Sequence, residues 1–204
     1  MKIINAICDL HNSTLASKYT PHTSKFAKMV FIKKPYKSPS NPYNYRPISL
    51  LNIIGKILEK IITQRILHML EHNNILSEFQ FGFRQHHSTQ HAMNIIINTI
   101  QLNQAQRNPT VISTRDVYKA FDTVWWRGLI YKINSMPGEQ FELVRYVYNY
   151  LRGRIIEPNF NNYTAEVFNT KAGVPQGSSL GPILYLIFTN DICVDIIFRY
   201  ALEM

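Results

Sequence analysis

Residues 172–182 read Ala-Gly-Val-Pro-Gln-Gly-Ser-Ser-Leu-Gly-Pro, and an apolar run follows at once. Nothing else in the chain restricts the fold as much. Three glycines and two prolines rule out a helix interior or a strand ladder, so this stretch is a shaped loop that feeds a helix. About fifty residues upstream lies Arg115-Asp116-Val117-Tyr118-Lys119-Ala120-Phe121-Asp122-Thr123-Val124-Trp125. A carboxylate-bearing run followed by a glycine-rich loop at a helix start has the makings of a nucleotide-handling site, because helix N-termini present N–H groups to anions.

Composition narrows the class. The chain has 204 residues, enough for one or two domains, and 46% are hydrophobic, which excludes a disordered chain. Its net charge of +9 points to a polyanionic partner, most simply nucleic acid; a solvated basic surface is the plain alternative. Cys8 and Cys193 stand far apart, so neither a disulfide framework nor a zinc site is supported. No apolar signal segment follows Met1, and Asn190, Asp191 and Asp195 interrupt the most apolar run. The expectation is an intracellular protein, cytoplasmic or nuclear, neither secreted nor in a membrane.

The pattern along the chain predicts an α+β fold. Residues 1–25 are weakly patterned, and 33–42 form a basic, proline-rich loop. Helical periodicity runs over 51–72, with Ile54, Ile57, Leu58, Ile61 and Ile62 on one face and Lys56, Glu59, Lys60 and Gln64 on the other. A second helix opens at the N-cap pair Ser88-Thr89 and runs to about 103. Residues 110–117 read as a β-branched strand broken by Ser113-Thr114-Arg115. Helices are predicted at 126–135, 139–151 and 179–192, a hairpin around Asn161-Asn162, a small antiparallel sheet, and a last strand at 195–200.

Several residues could carry chemistry. Asp116 ends the predicted strand, where it is either a turn residue or a ligand for Mg²⁺, which prefers hard oxygen donors. Asp122 reads first as the N-cap of the next helix and second as a metal ligand. Phe121 is either core or part of a site. Gln176, fixed between Pro175 and Gly177, can offer its amide to a phosphate or a base edge, or simply be solvated. Arg46 is suited to gripping phosphate as a bidentate fork, although a surface-loop arginine is the commoner case. Arg84 beside Gly82 and Phe83 mixes a cation with aromatics, as a nucleic-acid strand would require; a turn flanked by core phenylalanines explains it as well. His86, His87 and His91 read as a helix-cap region rather than a metal cluster.

Taken in order, these segments resemble the reverse transcriptase domain of non-LTR (LINE-like) retrotransposons. The resemblance rests on Tyr45-Arg46-Pro47-Ile48-Ser49-Leu50-Leu51, Lys56-Ile57-Leu58-Glu59-Lys60-Ile61-Ile62, Gln80-Phe81-Gly82-Phe83-Arg84 with His87-Ser88-Thr89, and the two segments at 116–125 and 172–182. It implies a right-hand polymerase in part: fingers over about 26–108, palm over about 109–204, an incomplete palm sheet and no thumb. The implied activity is RNA-directed DNA polymerase, with RNA template, DNA primer and dNTP as partners and two Mg²⁺ ions as cofactors.

The resemblance also assigns roles. Asp116 would bind both metals with help from the Val117 carbonyl. Phe121 would lie under the sugar of the incoming nucleotide. Arg46 would hold the triphosphate with Lys33 or Lys34. Pro175, Gln176 and Gly177 would shape the nucleotide pocket, and Gly82, Phe83 and Arg84 would touch nucleic acid. The departures are Thr114-Arg115, where the family has apolar strand residues, Ser24, where it usually has Trp, and Tyr200-Ala201-Leu202-Glu203, where it has an Ala-Asp-Asp run. Leu202 cannot ligate a metal, so the expectation is a truncated or decayed copy. The alternative is a catalytically dead nucleic-acid-binding remnant, and beyond that a relic that does not fold.

Overall fold

Leu58, Ile62, Ile66 and Leu70 recur at four-residue intervals, so a helix brings them onto one stripe, and all four are buried. That helix belongs to a computed structural model that describes residues 2–137, 141–161 and 163–192. In chain order the described elements are α1 (Lys2–Ser17), a single turn α2 (His22–Lys25), β1 (Phe26–Lys33), a 3₁₀ turn (Pro42–Asn44), β2 (Tyr45–Leu51), α3 (Ile53–His72) and α4 (Thr89–Ala105). They continue with α5 (Trp126–Asn134), α6 (Phe141–Leu151), β3 (Ile155–Phe160), β4 (Tyr163–Thr164), β5 (Phe168–Asn169) and α7 (Gly181–Thr189). The predicted strand at 195–200 and the residues from Tyr200 to Glu203 lie outside the described residues, as do the first two positions of the helix predicted from 139 and Asn162 of the predicted turn.

The core joins α3, α5, α6 and α7. Leu129, Ile133, Val147, Leu151, Leu184 and Ile187 fill it, and Val174 and Leu180 extend it into the loop before α7. At the usual 25 cal/mol per Å², each such side chain contributes about 1.5–3 kcal/mol of burial.

The sheet has the order β2-β1-β3-β4, with β5 also pairing β3. β1 runs antiparallel to β2 but parallel to β3, so the sheet is mixed and open rather than purely antiparallel as expected. Pro47 lacks an N–H, which an edge strand such as β2 tolerates.

The 1–25 lead-in holds the sixteen-residue helix α1, tied to α3 by a hydrogen bond between His11 Nε2 and the Ile54 carbonyl. The structure corrects three further expectations. Residues 108–117 form no strand, because no described strand offers them a ladder partner. On α3, Ile54 and Ile57 are exposed while Glu59 is buried. Asp122 does not cap α5; the N-cap position is Trp125, without a side-chain bond. Ser88 does cap α4, its hydroxyl accepting from the His91 N–H.

Candidate nucleotide site

The glycines of the 172–182 loop decide where it sits. Gly173 adopts φ +83°, and a Cβ there would fall 2.8 Å from the Asp122 carbonyl oxygen and 2.9 Å from that of Phe121. Only glycine allows this approach. The loop then bonds to the 121–124 turn: the Gly173 N–H donates to the Val124 carbonyl at 2.9 Å and the Val174 N–H to the Phe121 carbonyl at 2.8 Å. Trp126 Nε1 donates to the Gly173 carbonyl at 2.7 Å.

On its other side the loop meets the sheet. The Ser49 N–H on the free edge of β2 donates to the Gln176 carbonyl at 2.7 Å. Gly177, at φ +101°, has room for no Cβ, which would lie 2.7 Å from the Ser49 carbonyl oxygen. One loop therefore staples the 116–125 segment to β2, and Gln176 donates its amide to Asp122 Oδ1 at 3.4 Å. Pro175, Gln176 and Asp122 line a cavity of about 470 Å³ against Met29, Pro47, Ser49 and Ile156. Partial burial raises the Asp122 carboxyl above its ordinary range; Lys119 and the Gln176 amide pull it back in part.

A buried carboxylate holds the loop from below. Glu59 accepts the Tyr150 hydroxyl on Oε1 and the Ser179 N–H on Oε2, each at 2.9 Å. Burial, foremost, pushes the Tyr150 phenol far up, so it remains a donor. Ser178 Oγ accepts the Gly181 N–H at 2.7 Å and closes the first turn of α7.

Asp116 differs in setting. It lies exposed in the irregular 108–117 stretch, as does Val117. Its carboxylate, after burial, contributes to raising the Tyr185 phenol. Tyr185 in turn lies 5.1 Å, ring centre to ring centre, from Phe121, which meets Phe83 edge-on at 6.2 Å. Asp116, Phe121, Phe83 and Tyr185 thus border one region.

The expected triphosphate group is divided. Arg46 pairs with Ile32 across β1–β2, and Lys33 pairs with Tyr45, so alternation sets Arg46 and Lys33 on opposite sheet faces. Pro47 and Ser49, on the Lys33 face, line the cavity with Gln176; Arg46 does not. Lys34 Nζ donates to the Tyr43 carbonyl at 3.0 Å. Arg84 is held inside the protein: Nε and Nη2 grip Glu71 at 2.9 and 2.7 Å, and Nη1 donates to the Ser77 and Gln80 carbonyls. These bonds make Arg84 a clamp on the 77–84 turn. Gly82 and Phe83 are exposed on that turn.

No three His, Cys, Asp or Glu side chains come together among the described residues. Asp116 and the Val117 carbonyl are therefore not a complete metal site by themselves. Among the described residues, no helix is long and apolar enough to cross a membrane.

Sequence reasoning missed Glu59, Tyr150 and Tyr185. Glu59 sits at i+1 from the buried Leu58, and its polarity alone put it on the solvent face. No local signal identifies the buried donors that hold it.

Residues 32–201 match the family described as reverse transcriptase (RNA-dependent DNA polymerase). The chain is 36% identical over 182 residues to the RNA-directed DNA polymerase from mobile element jockey of Drosophila melanogaster, covering 89% of this chain and 20% of that protein. It is also 36% identical over 181 residues to the probable RNA-directed DNA polymerase from transposon X-element of the same species, covering 88% of this chain and 20% of that protein. A Pol polyprotein from the type-1 retrotransposable element R1 of Bradysia coprophila is 28% identical over 191 residues, 92% of this chain and 18% of that protein. The chain spans about a fifth of the length of the curated relatives it matches. It belongs to the reverse transcriptase family, and its domain is of the kind encoded by LINE-like retrotransposons.

Proposed function

We propose that this chain forms the fingers and palm portion, about 26–108 and 109–204, of an RNA-directed DNA polymerase that extends a DNA primer along an RNA template inside the cell. The observation that carries the reading is the double docking of one loop. Residues 173–177 bond both to the turn bearing Phe121 and Asp122 and to the edge of β2, which bears Arg46. Such a loop fixes a pocket wall before any nucleotide arrives, and preorganisation of this kind spares the ordering cost at binding.

In this reading Phe121 supports the sugar of a dNTP, with Tyr185 and Phe83 holding its ring. Pro175, Gln176 and Gly177 border the templating base. Arg46 and Lys34 serve the triphosphate. Lys33 leaves that group because it is on the sheet face opposite Arg46, the face whose Pro47 and Ser49 line the cavity with Gln176. Asp116 and the Val117 carbonyl are the positions where Mg²⁺ would be met, and the ion would neutralise developing phosphate charge.

Photoreactive dNTP, crosslinked to the full 204-residue chain with RNA template and DNA primer bound, tests this. Labelled peptides are expected at 116–122 and 174–177. Label confined to other peptides, with template–primer bound, would overturn the reading. The net charge of +9 and the lack of a grouped ligand set among the described residues favour a second reading, a nucleic-acid-binding remnant. Salt-sensitive template–primer binding that survives Asp116→Ala, with no primer extension by the native chain, would support it.

A further inference from the structure

The sheet face that carries Lys33 ends in an aromatic pocket. Phe31 on β1, Tyr45 on β2 and Phe160 on β3 meet there, with Pro39, Ser40 and Pro42 of the intervening loop closing a cavity of about 350 Å³. Phe160 is the hinge of the group: its ring meets Tyr45 at 5.3 Å and 81° and Phe31 at 6.1 Å and 68°. The rings are held in place. Tyr45 donates its hydroxyl to the Pro39 carbonyl at 3.1 Å, and Asn44 Nδ2 donates to the Ser38 carbonyl at 2.9 Å. Phe160 is nevertheless 43% exposed, so an aromatic face stays open to a planar partner.

The surrounding charge has one sign. Between Asp9 and Glu59 the chain contains no Asp or Glu, while Lys28, Lys33, Lys34, Lys37 and Arg46 fall within β1, β2 and their connection. Lys33 is the cross-strand neighbour of Tyr45, and the Lys33 and Lys37 ammonium groups make no hydrogen bond or ion pair among the described residues. Open aromatic faces flanked by free lysines suit an unpaired base and its phosphates: the ring stacks and the cations track the backbone. An acidic peptide would meet the charge but leave a planar slot without a matching group.

We propose that Phe31, Tyr45 and Phe160 form a stacking site for one unpaired base of a single-stranded RNA, with Lys33 and Lys37 on the adjacent phosphates. The site is on the sheet face opposite Arg46, and so separate from the triphosphate group. The inference rests on the reading of the chain as a template-using polymerase domain, for which it supplies a second hold on the template strand, on the same sheet face as the cavity lined by Pro47 and Ser49 but sharing none of its lining residues.

The test uses a fluorescent single-stranded RNA 12-mer and the full 204-residue chain. Phe160→Ala is expected to weaken binding about tenfold with the salt slope unchanged, and Phe160→Trp to restore it. Lys33→Ala is expected to lower the salt slope by about one. A base-paired RNA–DNA duplex of the same length is expected to be indifferent to Phe160→Ala. Because Phe160→Ala could unfold the sheet, the native chain is also crosslinked to the 12-mer carrying 5-iodouridine; adducts on peptides containing Phe31, Tyr45 or Phe160 are expected. Equal binding by a folded Phe160→Ala variant, or adducts that avoid all three peptides, overturns the proposal. If dNTP adducts at 116–122 and 174–177 persist in that case, only this inference falls. If they are absent too, the polymerase reading falls with it.

Discussion

The two segments that flank the proposed pocket are built in opposite ways. The 173–181 loop is bonded to the 121–124 turn, to β2 and, through Glu59, to α3 and α6. Val174, Ser178 and Leu180 in it are buried. The stretch leading to Asp116 has none of this. α4 has no buried residue, Met93, Ile95, Ile96, Ile97 and Leu102 are all exposed, and Val111, Ile112 and Val117 continue the exposure. The proposed pocket wall is thus part of the core, whereas the carboxylate proposed to meet the metal stands in an exposed, irregular stretch. The proposed pocket wall and the Asp116 carboxylate therefore rest on separate parts of the fold.

Substitutions break the comparison at different strengths. The largest effect is expected for Gly173→Ala, which combines backbone strain with contacts under 3 Å to Asp122 and Phe121 backbone atoms. A loss of about 2–4 kcal/mol should appear in a denaturant melt. Gly153 has a similar φ of +69° but nothing within 4 Å, so Gly153→Ala should cost only about 1 kcal/mol. Glu59→Ala leaves the Tyr150 hydroxyl and the Ser179 N–H without their acceptor, and should cost about 2–3 kcal/mol in the same melt.

On the other side of the comparison, Ile96→Ala on α4 should change stability by no more than about 0.5 kcal/mol. A cost near 2 kcal/mol would mean that this face is covered in solution. The smallest effect concerns pH. Burial raises the Asp122 carboxyl, so the folded chain holds that proton more tightly than the unfolded chain does. Stability from this group is therefore lost as pH rises from about 3.9, the unfolded value, through the folded value. Asp122→Asn keeps an acceptor for Gln176 and removes the titration. The variant should gain on the native chain across that window and hold its gain above it, as thermal melts at stepped pH would record.

What could be read from the sequence follows local physics. The helix over 51–72, the Ser88 cap and the apolar run of α7 are set by neighbours three or four residues away and lie near their expected places, although of the expected stripe at Ile54, Ile57, Leu58, Ile61 and Ile62 only Leu58 and Ile62 are buried. β1 and β2 have no such local signal, because Phe26–Lys33 and Tyr45–Leu51 are strands only by virtue of each other and of β3, more than a hundred residues on. The same reason misplaced Glu59, whose two donors are 91 and 120 residues away. It also hid the pairing of Arg84 with Glu71, thirteen residues away. The motif at 172–177 is legible as a shaped loop before a helix because its glycines and proline are local requirements, but what each glycine touches is not. For Asp116 the sequence led to a strand, and the strand failed for want of a pairing edge among the described residues.

Amide hydrogen exchange of the full chain, followed by peptide mass spectrometry, tests the central contrast most directly. Slow exchange is expected for the N–H groups of Gly173, Val174 and Ser179, close to that of the α5–α7 core, and exchange at unprotected rates for 111–117. Equal exchange in the two segments, or protection of 111–117 above that of the loop, would contradict that contrast.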